Sequence, residues 1–193
     1  MALTKVRGAG VESIQTLTIA DGLTLSDGDV TLASGHGINF SATANSSSTM
    51  TTELFDDYEE GTLVPSATFS TPSSNGDTTG TGQYTKIGRQ VTVHCLVKDI
   101  DTSGASGDMN IEGMPFVALA DSGAATVEQF QGVVTTSQLN FATGYVVAEI
   151  TDGFAKLRVT ECRDNTTLDL INASDITDDA CDMRFTITYT TAS

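Results

Sequence analysis

The chain has 193 residues, with 9 Lys and Arg against 25 Asp and Glu, for a formal net charge of -16. Such a field repels phosphate backbones and argues against nucleic acid as a partner, and no apolar run approaches membrane-spanning length. Hydrophobic residues are 39% of the chain and aromatics 6%, with no Trp, so the expected core is lean, made of Val, Ile, Leu and Phe in one domain plus an appendage.

Residues 1–12 are small and locally basic. Lys5 and Arg7 are the only cations before Lys86, and Gly8 and Gly10 leave the segment free to order on a partner, so an anchoring tail is expected. The same stretch lacks the apolar core of a secretory signal. From 13 to 53 apolar residues come in pairs two apart: Leu17 and Ile19, Leu23 and Leu25, Val30 and Leu32, Ile38 and Phe40. That spacing puts each pair on one face of a short strand. Between them lie Ala20-Asp21-Gly22, Ser26-Asp27-Gly28-Asp29 and Ser34-Gly35-His36-Gly37, all turn chemistry.

Tiny strands with one apolar face have nothing within the chain to bury it against. An interleaved β-shaft is expected, with those eight residues as the core of an oligomer; a threefold bundle is the simplest closed form, and the sequence equally allows a dimer. Asp21, Asp27 and Asp29 lack the closing Glu of a helix-loop-helix calcium site and read as turn residues, as does His36.

A small polar linker, 42–52, leads to the junction 54–65. There Asp56, Asp57, Tyr58, Glu59 and Glu60, followed by Gly61, predict an acidic, solvated surface turn, preferred to a metal site, opening into an edge strand that stops at Pro65. The head, 66–193, alternates short β patterns with polar loops. Val91, Val93, Cys95 and Val97 share one face of a strand, and Thr92, His94 and Leu96 the other. Strands are expected over 109–114, 116–120 and 127–135. A hairpin over 145–150 and 154–162 turns at Asp152-Gly153, with Leu157 and Val159 inward and Lys156, Arg158 and Thr160 outward. Those two cations suit carboxylates of a neighbouring subunit or an anionic glycan. Met183, Phe185, Ile187 and Tyr189 mark the inner face of the last strand.

The fold class is therefore all-β: a short N-terminal β-shaft followed by an antiparallel β-sandwich, with a jelly-roll-like topology as one form of it. Three Cys, at 95, 162 and 181, match no zinc spacing; Cys95 reads as a buried thiol, while Cys162 and Cys181 are candidates to meet across strands. His94 has no Ser or Asp partner at motif spacing, and the chain carries no phosphate loop, nucleophile elbow or paired His ligands. No enzymatic activity, cofactor or metal is expected.

Four segments, Val30–Thr43, Ser48–Leu54, Asp56–Thr62 and Tyr84–Val93, together resemble a recurrent module of tail-fibre and other virion structural proteins of tailed bacteriophages, especially marine ones. The likeness runs from Val30 to Val93 and departs at Leu63, where relatives often carry an aromatic residue, and at Phe55, where they carry Leu. The resemblance implies a virion location, a homotrimer and thiols kept reduced; the basic N-terminal segment adds docking on other virion proteins, and the Ser-, Thr-, Asn- and Asp-rich loops add contact with a host cell-surface glycan. Three readings follow: a tail fibre or fibre tip; a capsid decoration protein or short capsid fibre; and a polysaccharide-degrading tailspike, which would need a longer β-helical body. The loops 71–82, 99–108 and 165–182 are the candidates for outward contact, although sequence does not tell which of them share an end.

If residues 1–12 anchor the protein through charge, particles assembled with Lys5→Glu and Arg7→Glu together will carry less of it, as read by quantitative immunoblot of purified particles. Full occupancy would remove the anchoring role.

Overall fold

The structure, a computed structural model, describes residues 26–27, 29–33, 36–39, 54–55, 57–120, 129–140, 144–151, 153–163 and 168–192. The chain falls into two units, Met1–Ser34 and Gly35–Ser193. In the first, Val30 and Leu32 are exposed. Lys5, Arg7, Leu17, Ile19, Leu23, Leu25, Phe40 and Asp56 lie outside the described residues.

In the second unit β1 (Ile38–Asn39) pairs with β2 (Leu54–Phe55), setting Ile38 opposite Phe55, both exposed. The other strands are β3 (Tyr58–Leu63), β4 (Ser66–Thr71), β5 (Thr78–Thr79), β6 (Thr81–Ile87), β7 (Gln90–Val97) and β8 (Ser106–Glu112). They continue with β9 (Gln129–Ser137), β10 (Tyr145–Thr151), β11 (Lys156–Cys162), β12 (Asp169–Leu170) and β13 (Asp182–Thr190). Together β3 to β13 form one 11-stranded antiparallel sheet, ordered β3-β6-β7-β13-β9-β10-β11-β8-β4-β5 with β12 beside β11. The described residues contain no α-helix; one 3-10 turn, Ala173–Asp175, is closed by a reciprocal cap between Asn172 and Asp175.

Alternation of β-branched and polar residues sets the faces. Met183, Phe185, Ile187 and Tyr189 of β13 point inward and are buried, as are Val91, Val93, Cys95 and Val97 of β7. Met109 and Ile111, Ala148 and Ile150, and Leu157 and Val159 belong to the same core, with Leu63, Phe69, Ile100 and Ile171 among its other members. Each fully buried aliphatic side chain contributes roughly 1.5–3 kcal/mol. Strand β13 lies mid-sheet, paired with β7 from Met183 to Thr190 and with β9 from Asp182 to Ile187.

The two ends of the sheet belong to one hairpin. Leu63 stands opposite Gly82 in the β3–β6 ladder and Ser66 opposite Thr79 in the β4–β5 ladder, an unbroken register bridged by the Gly80 N–H donating to the Pro65 carbonyl at 2.7 Å. Because β6 continues the sheet through β7 and β4 continues it through β8, this hairpin draws the sheet round on itself. The two layers of the sandwich-like fold are thus stretches of one curled sheet.

Three local expectations change. The acidic run Tyr58-Glu59-Glu60 is strand rather than turn, because it pairs with Lys86 and its neighbours on β6. Residues 116–120 are not a strand; Pro115 removes a donor there, and the segment is held by an isolated bridge from Ala118 to Thr191, by the Ala118 and Leu119 N–H groups donating to the Phe154 and Thr190 carbonyls at 2.9 and 2.8 Å, and by the Tyr189 hydroxyl donating to the Phe116 carbonyl at 2.9 Å. Thr160 faces outward but is buried, its hydroxyl donating to the buried Glu149 at 2.9 Å.

A Cβ at Gly80 would lie 2.0 Å from the Leu96 carbonyl oxygen, a backbone atom that cannot swing away. Gly80→Val is expected to cost about 1–3 kcal/mol or more by overpacking. Urea unfolding checks this, and an unchanged midpoint would show that the hairpin tolerates a side chain at its joint.

Candidate functional site

Three loops meet at one end of the sheet: residues 72–77 after β4, 98–105 after β7, and 171–181 before β13. The Ser74 N–H donates to the Ser103 carbonyl at 2.8 Å, the Ile100 N–H to Cys181 at 3.1 Å and the Asp179 N–H to Ile100 at 3.1 Å. Asp101 is the hub, accepting from the Ser103 N–H at 2.7 Å, the Asn75 amide at 2.7 Å and the Ser73 hydroxyl at 3.1 Å. Asp178 accepts from the Thr102 N–H at 2.6 Å and from the Thr102 and Ser103 hydroxyls at 3.1 Å each. Short Ser, Thr, Asn and Asp side chains suit this work, since they bond to nearby backbone as readily as to each other. The loops named from sequence as outward candidates therefore share one end and one hydrogen-bond network.

The electrostatics of that end are lopsided. Carboxylate oxygens of Asp101, Asp178 and Asp179 lie within 4.8 Å of one another. The bond from the Ser103 backbone, with those from Asn75, Ser103 and Ser73, holds the Asp101 carboxyl below its usual 3.8. Asp179 moves the other way, raised chiefly by the charge of Asp178 and then by desolvation, Asp101 and Asp99. Asp99 and Asp179 both have left-handed backbone, with φ of 50° and 53°. Oxygen-only donors of this kind would suit a hard cation such as calcium, although hydrogen bonds from loop donors already occupy Asp101 and Asp178.

At the junction, most of the acidic groups have partners within the chain. Lys86, with only 6% of its side chain exposed, pairs with Asp57, and its ammonium lies 5.6 Å from the centre of the Phe116 ring. The Tyr84 hydroxyl donates to Glu59 and the Tyr58 hydroxyl to Glu60, and each of these bonds raises the phenol's pKa. Tyr84 packs edge-on against Phe116, with centroids 5.5 Å apart. Gly61 lies under the Tyr84 ring, where a Cβ would come within 2.6 Å of it. These groups fasten edge strand β3 to β6.

A third surface has a different character. The outward side chains of β6 are Thr81, Gln83, Thr85 and Ile87, and those of β7 are Gln90, Thr92, His94 and Leu96. On β13 they are Asp182, Arg184, Thr186, Thr188 and Thr190; on β9, Gln131, Val133, Thr135 and Ser137. The one carboxylate among them, Asp182, stands opposite Ser137 and lies 3.8 Å from Arg184. Pairing aligns them in rows, Gln83–His94–Thr186–Val133 and Thr81–Leu96–Arg184–Thr135. A groove of about 680 Å³ opens here, lined in part by Thr62, Gln83, His94, Leu96 and Arg184. The composition that predicted these strands gave no sign that their outer faces would join into one field rich in Thr and Gln.

His94 is exposed, with Nδ1 3.0 Å from the Thr186 hydroxyl. All three Cys are free thiols; burial pushes Cys95 up to about 12 and, with the Asp182 charge, Cys181 up to about 11. Lys156 and Arg158 stand opposite Glu112 and Glu149 of the same chain, so carboxylates for them exist without a neighbouring subunit. Compared with family models, curated proteins and solved structures, the chain matches none.

The opposed shifts at the loop end give a signed pH response. Asp179, raised in the folded state, binds its proton more readily folded than unfolded, so stability should rise as pH falls through a range above 3.8. Asp101, depressed when folded, contributes stability above 3.8 that is lost as pH falls through its lower folded value. Amide exchange over 99–103 and 178–181 should slow and then quicken, after correction for intrinsic rates. Asp179→Asn should abolish the first phase and Asp101→Asn the second; a monotonic response in the parent chain would contradict the assignment.

Proposed function

We propose that this chain is a bacteriophage virion structural protein, a homotrimeric tail fibre or fibre-tip protein that contacts the host surface. The observation that carries this reading is the gathering of three Ser-, Thr-, Asn- and Asp-bearing loops at one end of a sheet whose strands hold them by backbone bonds. Such an end can vary while the core stays constant, and its hydroxyl and amide groups suit hydrogen bonding to surface glycans. The resemblance of Val30–Val93 to the tail-fibre module supports the virion location, and the exposed Ile38, Phe55, Val30 and Leu32 are apolar surface that subunit association would cover. With no Trp to stack on sugar rings, single-site affinity should be weak and trimeric avidity should compensate.

A capsid decoration protein or short capsid fibre is the second reading, favoured by the basic segment at Lys5 and Arg7 as an anchor. Purified full-length protein added to susceptible cells should slow phage adsorption if it is the fibre. Substitution of Asn75 and Ser74 by Ala, at the loop end, should weaken that competition several-fold. A folded protein that neither binds cells nor slows adsorption, and that antibody labelling in electron micrographs places on the capsid, would establish the second reading instead.

A further inference from the structure

The turn at residues 73–76 holds Asn75-Gly76, the one Asn-Gly pair in the sequence. Both residues are exposed, Gly76 has a φ of 94°, and a Cβ there would meet nothing within 4 Å, so no side chain crowds the backbone nitrogen that follows the Asn75 amide. Two bonds steady the turn: the Gly76 N–H donates to the Ser73 carbonyl at 3.2 Å, and the Asn75 N–H to the Ser73 hydroxyl at 3.2 Å. The Asn75 side-chain amide donates to Asp101 Oδ2 at 2.7 Å and so ties loop 72–77 to loop 98–105. These bonds sit at an exposed loop tip, where local opening breaks them without disturbing the core. At the far end of the tie, Asp101 already has carboxylate oxygens of Asp178 and Asp179 within 4.8 Å.

We infer that Asn75 is a self-modification site, at which conversion of its amide to a carboxylate unties loop 72–77 from Asp101. On local opening the Gly76 backbone nitrogen gives its proton to hydroxide and attacks Asn75 Cγ. A C–N bond forms there, the Cγ–Nδ2 bond breaks, and Nδ2 takes a proton from water and leaves as ammonia, giving a cyclic imide. Water then adds to either imide carbonyl: cleavage of the new Cγ–N bond gives aspartate, and cleavage of the original peptide bond gives isoaspartate, with the chain rerouted through the side chain. In sum, water is consumed, ammonia is released and a negative charge is gained. Either product replaces a donor by a carboxylate, which cannot bond to Asp101 and repels it.

The test is ageing of the full-length chain in buffer, followed by intact mass, peptide mapping and enzymatic methylation of isoaspartate. The parent should gain the mass of amide-to-acid exchange at Asn75, several-fold faster in mildly alkaline than in mildly acidic buffer. Asn75→Gln, whose longer side chain closes its ring far more slowly, should keep its amide. Hydrogen exchange over 73–77 and 99–103 should quicken by about fivefold or more in the converted chain. Asn75→Asp should show that faster exchange before any ageing. An Asn75 that stays intact in the folded chain, over an interval in which the urea-unfolded chain converts, overturns the site. Conversion that leaves exchange over 99–103 unchanged, or a fresh Asn75→Asp chain as protected as the parent, overturns the untying. None of these readouts involves host cells, so the outcome is separate from that of the adsorption experiment.

Discussion

The backbone bond between Gly80 and Pro65 is the joint on which the molecule depends. Here two successive strands, β3 and β4, run against two others, β6 and β5, in a single register, so one hairpin serves both ends of an 11-stranded sheet. An open sheet of that size would leave long edges and an uncovered inner face. Curling it through this hairpin gives the inward residues of β7 and β13 a facing layer in β8, β10 and β11. Pro65 contributes its carbonyl as the acceptor, and Gly80 has no room for a side chain beside the Leu96 carbonyl.

Once the sheet curls, polarity sorts itself by position. The inside is aliphatic with Phe69, Phe185 and Tyr189 as its large members; burial pushes the Tyr189 phenol up to about 12, while the Phe116 N–H, donating to the phenol oxygen at 3.3 Å, partly offsets this. Scarce cations are used for local fastening: Lys86 on Asp57 secures the edge strand, and Arg163 bonds Glu161 at 2.6 Å and Asp169 at 3.4 Å, joining β12 to β11. The carboxylates that remain concentrate at the loop end and along the flanks. The outer face of four adjacent strands is mostly Thr and Gln, with Arg184 beside Asp182 as its charged pair, so the described residues form an acidic end and a side of low charge density.

The strand alternation of β7 and β13 was legible in full, because a two-residue period needs no tertiary information: Val91, Val93, Cys95 and Val97 face in, as do Met183, Phe185, Ile187 and Tyr189. The hairpin of β10 and β11 was legible for the same reason, helped by its Asp-Gly turn. Residues 116–120 misled because an apolar run after a proline has strand composition, yet here the run finds its partners singly, through Ala118 and Phe116, rather than along a ladder. The acidic junction misled because charge density resembles a turn. Lys86 and Tyr84 lie far along the chain, where Tyr84 takes Glu59 of the strand as its acceptor and Lys86 pairs with Asp57 just before it.

By itself the sequence determined the all-β class, the inward faces of β7, β11 and β13 and the identity of the three polar loops, since these follow from side-chain periodicity and turn chemistry within a few residues. Tertiary structure alone decided that β3 and β5 close one sheet, that Ser73, Asp101 and Asp178 share an end, and that Gln83, His94, Thr186 and Val133 form a row. Those relations join residues tens of positions apart. They depend on which strands become neighbours, and strand order is set by packing of the whole core rather than by any local pattern.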